Sequence, residues 1–365
     1  MYSDSDLEAA VAAGALSPEA AASLRSYVAG RSASPAVDEE HFRLITGFND
    51  IFVSVAAAIL LFALAWIGSS FGLRIEDGPS PLSGILVAGA AWGLAEFFTR
   101  KRRMALPSIL LLLAFVGGIF EAAGASLILI VGPDAVEHSK PIGGLVAAGS
   151  AALAAAGAWL HWRRFKVPIT IAAGAASVVG LVMALIASAL GETERMGDIM
   201  LGFLLIFGVG VFLFAMWWDS SDPRRETRRS DVAFWLHLLS APMIVHPVFK
   251  LLGLADGGGS VMGAVIVLLV YFVFGLAALA VDRRALLVSA LAYVLWALSR
   301  LFQQAGADEL NLALTALVIG SALLLLSAFW HSARRAVVKP LPPALQAKLP
   351  VIDRAAPATA AAAAA

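Results

Sequence analysis

Apolar runs alternate with short polar breaks along most of the chain. They fall near 51–70, 81–99, 105–131, 141–161, 167–189, 198–218, 232–253, 260–281, 285–303 and 310–330. Each run approaches or exceeds the length needed to cross a hydrocarbon core of roughly 30 Å, which takes about 20 helical residues. The pattern predicts an all-α fold, a polytopic transmembrane helical bundle of about ten spans. Two runs are irregular: 105–131 is long, and 232–253 carries Pro242 and Pro247, which predict a kink.

The breaks alternate in charge. After the second, fourth, sixth and eighth runs come Arg100-Lys101-Arg102-Arg103, then Arg163-Arg164 with Lys166, then Arg224-Arg225 with Arg228-Arg229, then Arg283-Arg284. The other connections carry acids, among them Glu76-Asp77, Asp134, Glu137, Glu192, Glu194, Asp256 and Asp308-Glu309. The four basic connections hold thirteen Lys and Arg, against three in the five acidic ones (Arg74, Lys140 and Arg195). By the positive-inside rule the basic side is cytoplasmic, so an even span count puts both termini inside. Trp159, Trp162, Trp217, Trp218, Trp235 and Trp330 gather on that side, as an interfacial belt would. Arg-Arg-x-x-aliphatic recurs at Arg102, Arg163, Arg228 and Arg283. Duplication of a helical hairpin would produce this recurrence, and so would the basic-loop requirement alone.

Polar segments flank the bundle, so the domain reading is 1–46, 47–333 and 334–365. In the first, a short helix closes at Gly14, and Ser17-Pro18-Glu19 caps a second one, giving a cytoplasmic helical hairpin. That hairpin is too short for its own core and reads as a handle for a protein partner. The segment from 334, rich in Pro and Ala, is expected to be disordered.

Composition narrows the function classes. At 60% hydrophobic and 14% charged residues, with mean hydropathy +0.85, the chain is not a soluble α/β enzyme. It has no cysteine, so disulfides, thiol catalysis and cysteine metal sites are excluded. Its acidic start lacks signal-peptide character, and the first span is expected to direct insertion. No zinc spacing, P-loop, Gly-x-Ser-x-Gly elbow or channel-filter sequence is present. No cofactor, metal or nucleic-acid partner is expected. The lipid bilayer is the expected surrounding.

Ionisable residues within the runs are costly unless they face protein. Counting 1.5 Å per residue from the cytoplasmic face, Glu121 lies at about 24 Å, His246 at about 21 Å and Arg300 at about 22 Å. One depth in the outer half of the bilayer thus carries an acid, an imidazole and a guanidinium. Gly117, Gly118 and Gly124 flank Glu121, and the two prolines flank His246, as in the broken helices of secondary transporters. The sharp reading pairs Glu121 with Arg300 beside His246, in a site for a small polar or anionic solute. The plainer reading, which is preferred, lets Arg300 and Lys250 snorkel and makes Glu121 structural. Glu96 is expected to pair with Arg100 one turn on, and Gly89 and Gly93 to form a close-packing face.

The segment from His41 to Val53, following Ala13-Gly14-Ala15-Leu16-Ser17-Pro18-Glu19-Ala20, resembles a group of uncharacterised bacterial membrane proteins with a short helical N-terminal segment before a polytopic bundle. The resemblance implies a bacterial inner-membrane location and carries no activity or site residues. The expected function is that of an envelope scaffold or sensor of unknown activity. The alternative is the secondary transporter, and a membrane-embedded transferase is disfavoured by the short connections.

Overall fold

The computed structural model describes residues 10–24, 48–71, 78, 80–223, 225, 227–253, 261–307 and 309–352. The chain separates into two units, one of Met1–Phe42 with Asp353–Ala365 and one of Arg43–Ile352. In the first unit, Gly14 turns the chain with φ +71°, and the Ser17 hydroxyl accepts from the Ala20 backbone N–H at 3.1 Å. That is the expected cap. The rest of the hairpin, Glu76-Asp77, Arg224, Asp256, Asp308 and the tail from 353 lie outside the described residues.

The second unit is all-helical among the described residues. Ten of its helices are long and apolar enough to cross a membrane, as the run pattern predicts. They are α1 (Phe48–Ser70), α2 (Pro81–Ala95, continued by a π-helix Glu96–Lys101), α3 (Ala105–Val131), α4 (Lys140–Phe165) and α5 (Ile169–Leu190). Then come α6 (Met196–Ser220), α7 (Arg228–Leu251), α8 (Val261–Val281), α9 (Ala285–Gln304) and α10 (Asn311–Ala328). A further helix, α11 (Trp330–Val338), follows directly. The outer surface is paved with large apolar side chains, among them Phe52, Ile59, Trp66, Leu269, Phe272 and Leu324, all more than half exposed. A continuous surface of this kind is satisfied by lipid and not by water.

Packing is mostly between sequence neighbours. α1, α2 and α3 form one group, α4 packs on α3 and α5, α6 on α7, and α8 on α9. α7 bridges the halves by touching both α5 and α9. Ion pairs show that alternate connections share an end. Glu96 meets Arg164, and Arg225 meets Asp282, at the basic end, while Lys140 meets Glu192 at 3.1 Å at the other. Each basic connection turns through one left-handed residue that is not glycine: Arg103, Lys166, Arg225 and Asp282, with φ between 54° and 60°. The recurrent basic motif therefore coincides with a recurrent backbone reversal.

Three expectations are corrected. α7 is one continuous helix despite Pro242 and Pro247, and it is the most buried of the ten spans. Pro247 has no N–H for the Met243 carbonyl, and Gly208 of α6 lies against that carbonyl, where a Cβ would come to 2.8 Å. The glycines near Glu121 do not break α3. Gly118 lets α3 approach Gly84 and Ala88 of α2, and Gly124 faces Ser150 of α4. Gly89 and Gly93 point into open space, so the close face of α2 is built by Gly84, Ala88, Ala91 and Ala95 instead.

Disorder from 334 onward is likewise not what residues 334–352 show. α11 runs to Val338, Pro343–Gln346 forms a helical turn, and Val351 N–H donates to the Pro223 carbonyl at 3.2 Å. Arg334 holds this segment through its guanidinium, which donates to the carbonyls of Pro350 and Val351.

Candidate functional site

The three residues singled out from depth do not form one site. Glu121 is half-buried on α3, which packs on α1, α2 and α4. It makes no ion pair or side-chain hydrogen bond among the described residues. His246 Nδ1 lies 2.7 Å from the Tyr293 hydroxyl of α9, and Tyr293 stacks on Phe249 with ring centroids 4.2 Å apart. Arg300 is exposed, lies over the Trp296 ring at 5.8 Å and reaches Gln303 at 3.5 Å. The Glu121–Arg300 pair of the sharp reading is not made.

The densest ionic chemistry sits elsewhere, at the basic ends of α6 to α9. Asp219 is in the last turn of α6 and its carboxylate is fully enclosed. Arg283 reaches it from the turn before α9, Nη2 donating to Oδ1 at 2.7 Å and Nε to Oδ2 at 3.4 Å. The same guanidinium donates to the Ser230 carbonyl at 3.1 Å and lies over the Phe234 ring at 5.8 Å. His237 of α7 completes the group, with Nε2 3.0 Å from Asp219 Oδ2. An ionised carboxylate only accepts, so Nε2 carries the proton. The forked geometry satisfies both carboxylate oxygens, which a buried charge requires.

A second cluster adjoins it. Asp282 adopts the left-handed conformation that Asp tolerates better than most residues, and so reverses the chain between α8 and α9. Arg225 donates to Asp282 Oδ2 at 2.8 Å and to the carbonyls of Val281 and Asp282 at 3.2 Å, capping the C-terminus of α8. Trp330 Nε1 donates to Asp282 Oδ1 at 2.7 Å, and Arg334 Nε lies 3.6 Å from the same oxygen. Burial opposes the charge of Asp282. Arg225, Arg334, the Trp330 N–H and Arg283 nevertheless hold its carboxyl below the ordinary carboxylate value. Asp222 closes the loop before α7 by accepting from Thr227 N–H at 2.8 Å and from its hydroxyl at 2.7 Å.

In the first half, Glu96 accepts from Arg100 as expected, at 3.3 Å, but its main partner is Arg164. That guanidinium binds both carboxylate oxygens, at 2.7 and 3.0 Å. His161 is buried among Trp92, Phe115 and Phe165, with Nδ1 3.3 Å from the Thr170 hydroxyl.

Reading the basic connections only as topology signals missed the ionic clusters. A signal was present: the basic side of the second half also carries Asp219, Asp222, Asp231 and Asp282. Acids among residues that only need to be positive suggest ion pairing. Among the described residues no group of three or more His, Asp or Glu could hold a metal ion. No protein-family model matches this sequence, and neither a curated protein nor a solved structure is significantly similar to it.

Proposed function

We propose that the chain is a bacterial inner-membrane scaffold or sensor with both termini in the cytoplasm, acting through its basic end. The observation that carries this reading is the distribution of polar groups. The carboxylates of Asp219 and Asp282 are enclosed at the basic end and tie α6, α7, α8, α9 and residues 334–352 together. A hydrophobic cluster joins α5 to α6 and α7, with Ala172 packed among Val211, Val232, Leu236 and Met243. A transporter made of two five-span halves would concentrate polar groups at that contact. Buried ion pairs add little net stability but can define a single geometry, which suits a surface that a partner must recognise. The bias of Lys and Arg supports the orientation.

A secondary transporter of a small polar or anionic solute is the alternative. It is favoured by one observation, the half-buried Glu121 without an ionic partner within a span.

The natural absence of cysteine makes the test direct. A single cysteine at Leu345 is expected to label with an impermeant maleimide only after cells are opened, and one at Glu192 in intact cells. A photo-crosslinker at Leu345 is expected to trap one discrete protein, which the same probe at Leu310 does not trap. Saturable solute uptake into proteoliposomes that is abolished by Glu121→Gln would replace this reading with the transporter.

A further inference from the structure

A groove of about 210 Å³ runs between α9 and α10 from the basic end. Leu287 and Leu291 form one wall, Leu323 and Leu326 the other, and Trp330 and Arg284 the mouth. Arg284 to Leu291 and Leu323 to Trp330 each cover seven residue steps, mostly helical, so the groove is about 10 Å long along the helices. Val288 and Ser327 on its rim are exposed, and it therefore opens sideways toward lipid.

The charge at the mouth says what fits. Arg283 is consumed by Asp219, but its neighbour Arg284 points the other way, with its guanidinium over the Trp330 ring at 4.8 Å. Among the described residues Arg284 has no carboxylate partner. Trp330 is fixed by its hydrogen bond to Asp282, so the indole presents a rigid platform. An uncompensated guanidinium at the interfacial end of an apolar groove matches a molecule with a phosphate at one end and an acyl chain at the other.

We propose that this groove binds one anionic phospholipid from the leaflet at the basic end, its phosphate on Arg284 and the start of one acyl chain between Leu287, Leu291 and Leu323. The inference is independent of the scaffold reading. Arg284 lies over the Trp330 ring and Trp330 Nε1 donates to Asp282, so the headgroup site is linked through one indole to the charge cluster that organises residues 334–352.

The test is native mass spectrometry of the full chain in detergent, titrated with dioleoyl phosphatidylglycerol or dioleoyl phosphatidylcholine. The wild type is expected to hold one phosphatidylglycerol more tightly than phosphatidylcholine. Arg284→Gln is expected to weaken phosphatidylglycerol about fivefold and leave phosphatidylcholine unchanged, the loss of one near-surface cationic contact. Arg284→Lys should restore most of the preference, and Val288→Trp, on the exposed rim, should displace both lipids. Equal binding of the two lipids by the wild type would overturn the proposal, as would unchanged phosphatidylglycerol binding by Arg284→Gln. Retention of both lipids by Val288→Trp, or displacement by inorganic phosphate alone, would also refute it.

Discussion

Asp219 and Arg283, 64 residues apart, meet through a 2.7 Å hydrogen bond in which neither side chain is appreciably exposed. The bond joins the end of α6 to the start of α9, two helices that otherwise communicate through α7. His237 of α7 shares the carboxylate, so one buried charge organises three helices. Removing one member of such a pair strands the other. Asp219→Leu or Arg283→Met is expected to cost about 3–5 kcal/mol, and the double variant Asp219→Leu/Arg283→Met distinctly less than the sum. Unfolding in mild detergent of the two singles and the double would test this; strictly additive losses would show that the pair is not coupled.

Asp282 makes stability depend on acid. Its folded carboxyl titrates below the ordinary value of 3.8, because Arg225, Arg334 and the Trp330 N–H outweigh burial. The ionised form therefore stabilises the fold in full above that value, and the contribution is lost as pH falls below it through the lower folded value. The gap in melting temperature between wild type and Asp282→Asn should be flat from pH 7 to about pH 5 and shrink below about pH 4. A gap that widens on acidification would show that the carboxylate is not held by these cations.

Arg334 is the fastener of the C-terminal segment. Its guanidinium binds the carbonyls of Pro350 and Val351 and lies 3.6 Å from Asp282. Arg334→Ala is expected to raise amide exchange across 343–352 by about tenfold or more, with α1 to α3 unchanged, since hydrogen bonds to a charged group contribute about 1.5–3 kcal/mol. Hydrogen exchange with peptide readout measures it. Equal protection in the variant would mean that Val351 N–H and the surrounding packing suffice.

Glycines divide by what faces them. A Cβ on Gly208 would lie 2.8 Å from the Met243 carbonyl, whereas one on Gly93 would meet open space. Gly208→Ala should cost about 1–3 kcal/mol through forced separation of α6 and α7. Gly93→Ala should be neutral or stabilising by up to about 1 kcal/mol, from helix propensity alone. Melting temperatures of the two variants decide it, and equal effects would refute the close contact.

Much of the architecture was legible because hydropathy and length act locally. The ten apolar runs became ten helices, and the basic connections share an end, joined across it by Glu96–Arg164 and Arg225–Asp282. Depth along a span can be counted from the sequence, but depth is not proximity. Counting along the spans puts Glu121, His246 and Arg300 at one level, yet Glu121 stands on a helix that packs on α1, α2 and α4 while the other two stand on α7 and α9. Pro242 and Pro247 do not break α7, and Gly208 lets α6 close on the freed Met243 carbonyl.

Hydropathy and charge along the chain are enough to specify apolar helices long enough to cross a membrane and a sorting of charge between alternate connections. Both follow from the cost of placing backbone and ionic groups in hydrocarbon, which each segment meets within its own length. Which charges become partners is settled by how the helices pack. Asp219 chose Arg283 and His237, Asp282 chose Arg225 and Trp330, and Arg284 was left over a ring at the mouth of a groove. Those choices depend on which helix ends come within about 3 Å of each other, and that is set by packing between helices distant in the chain.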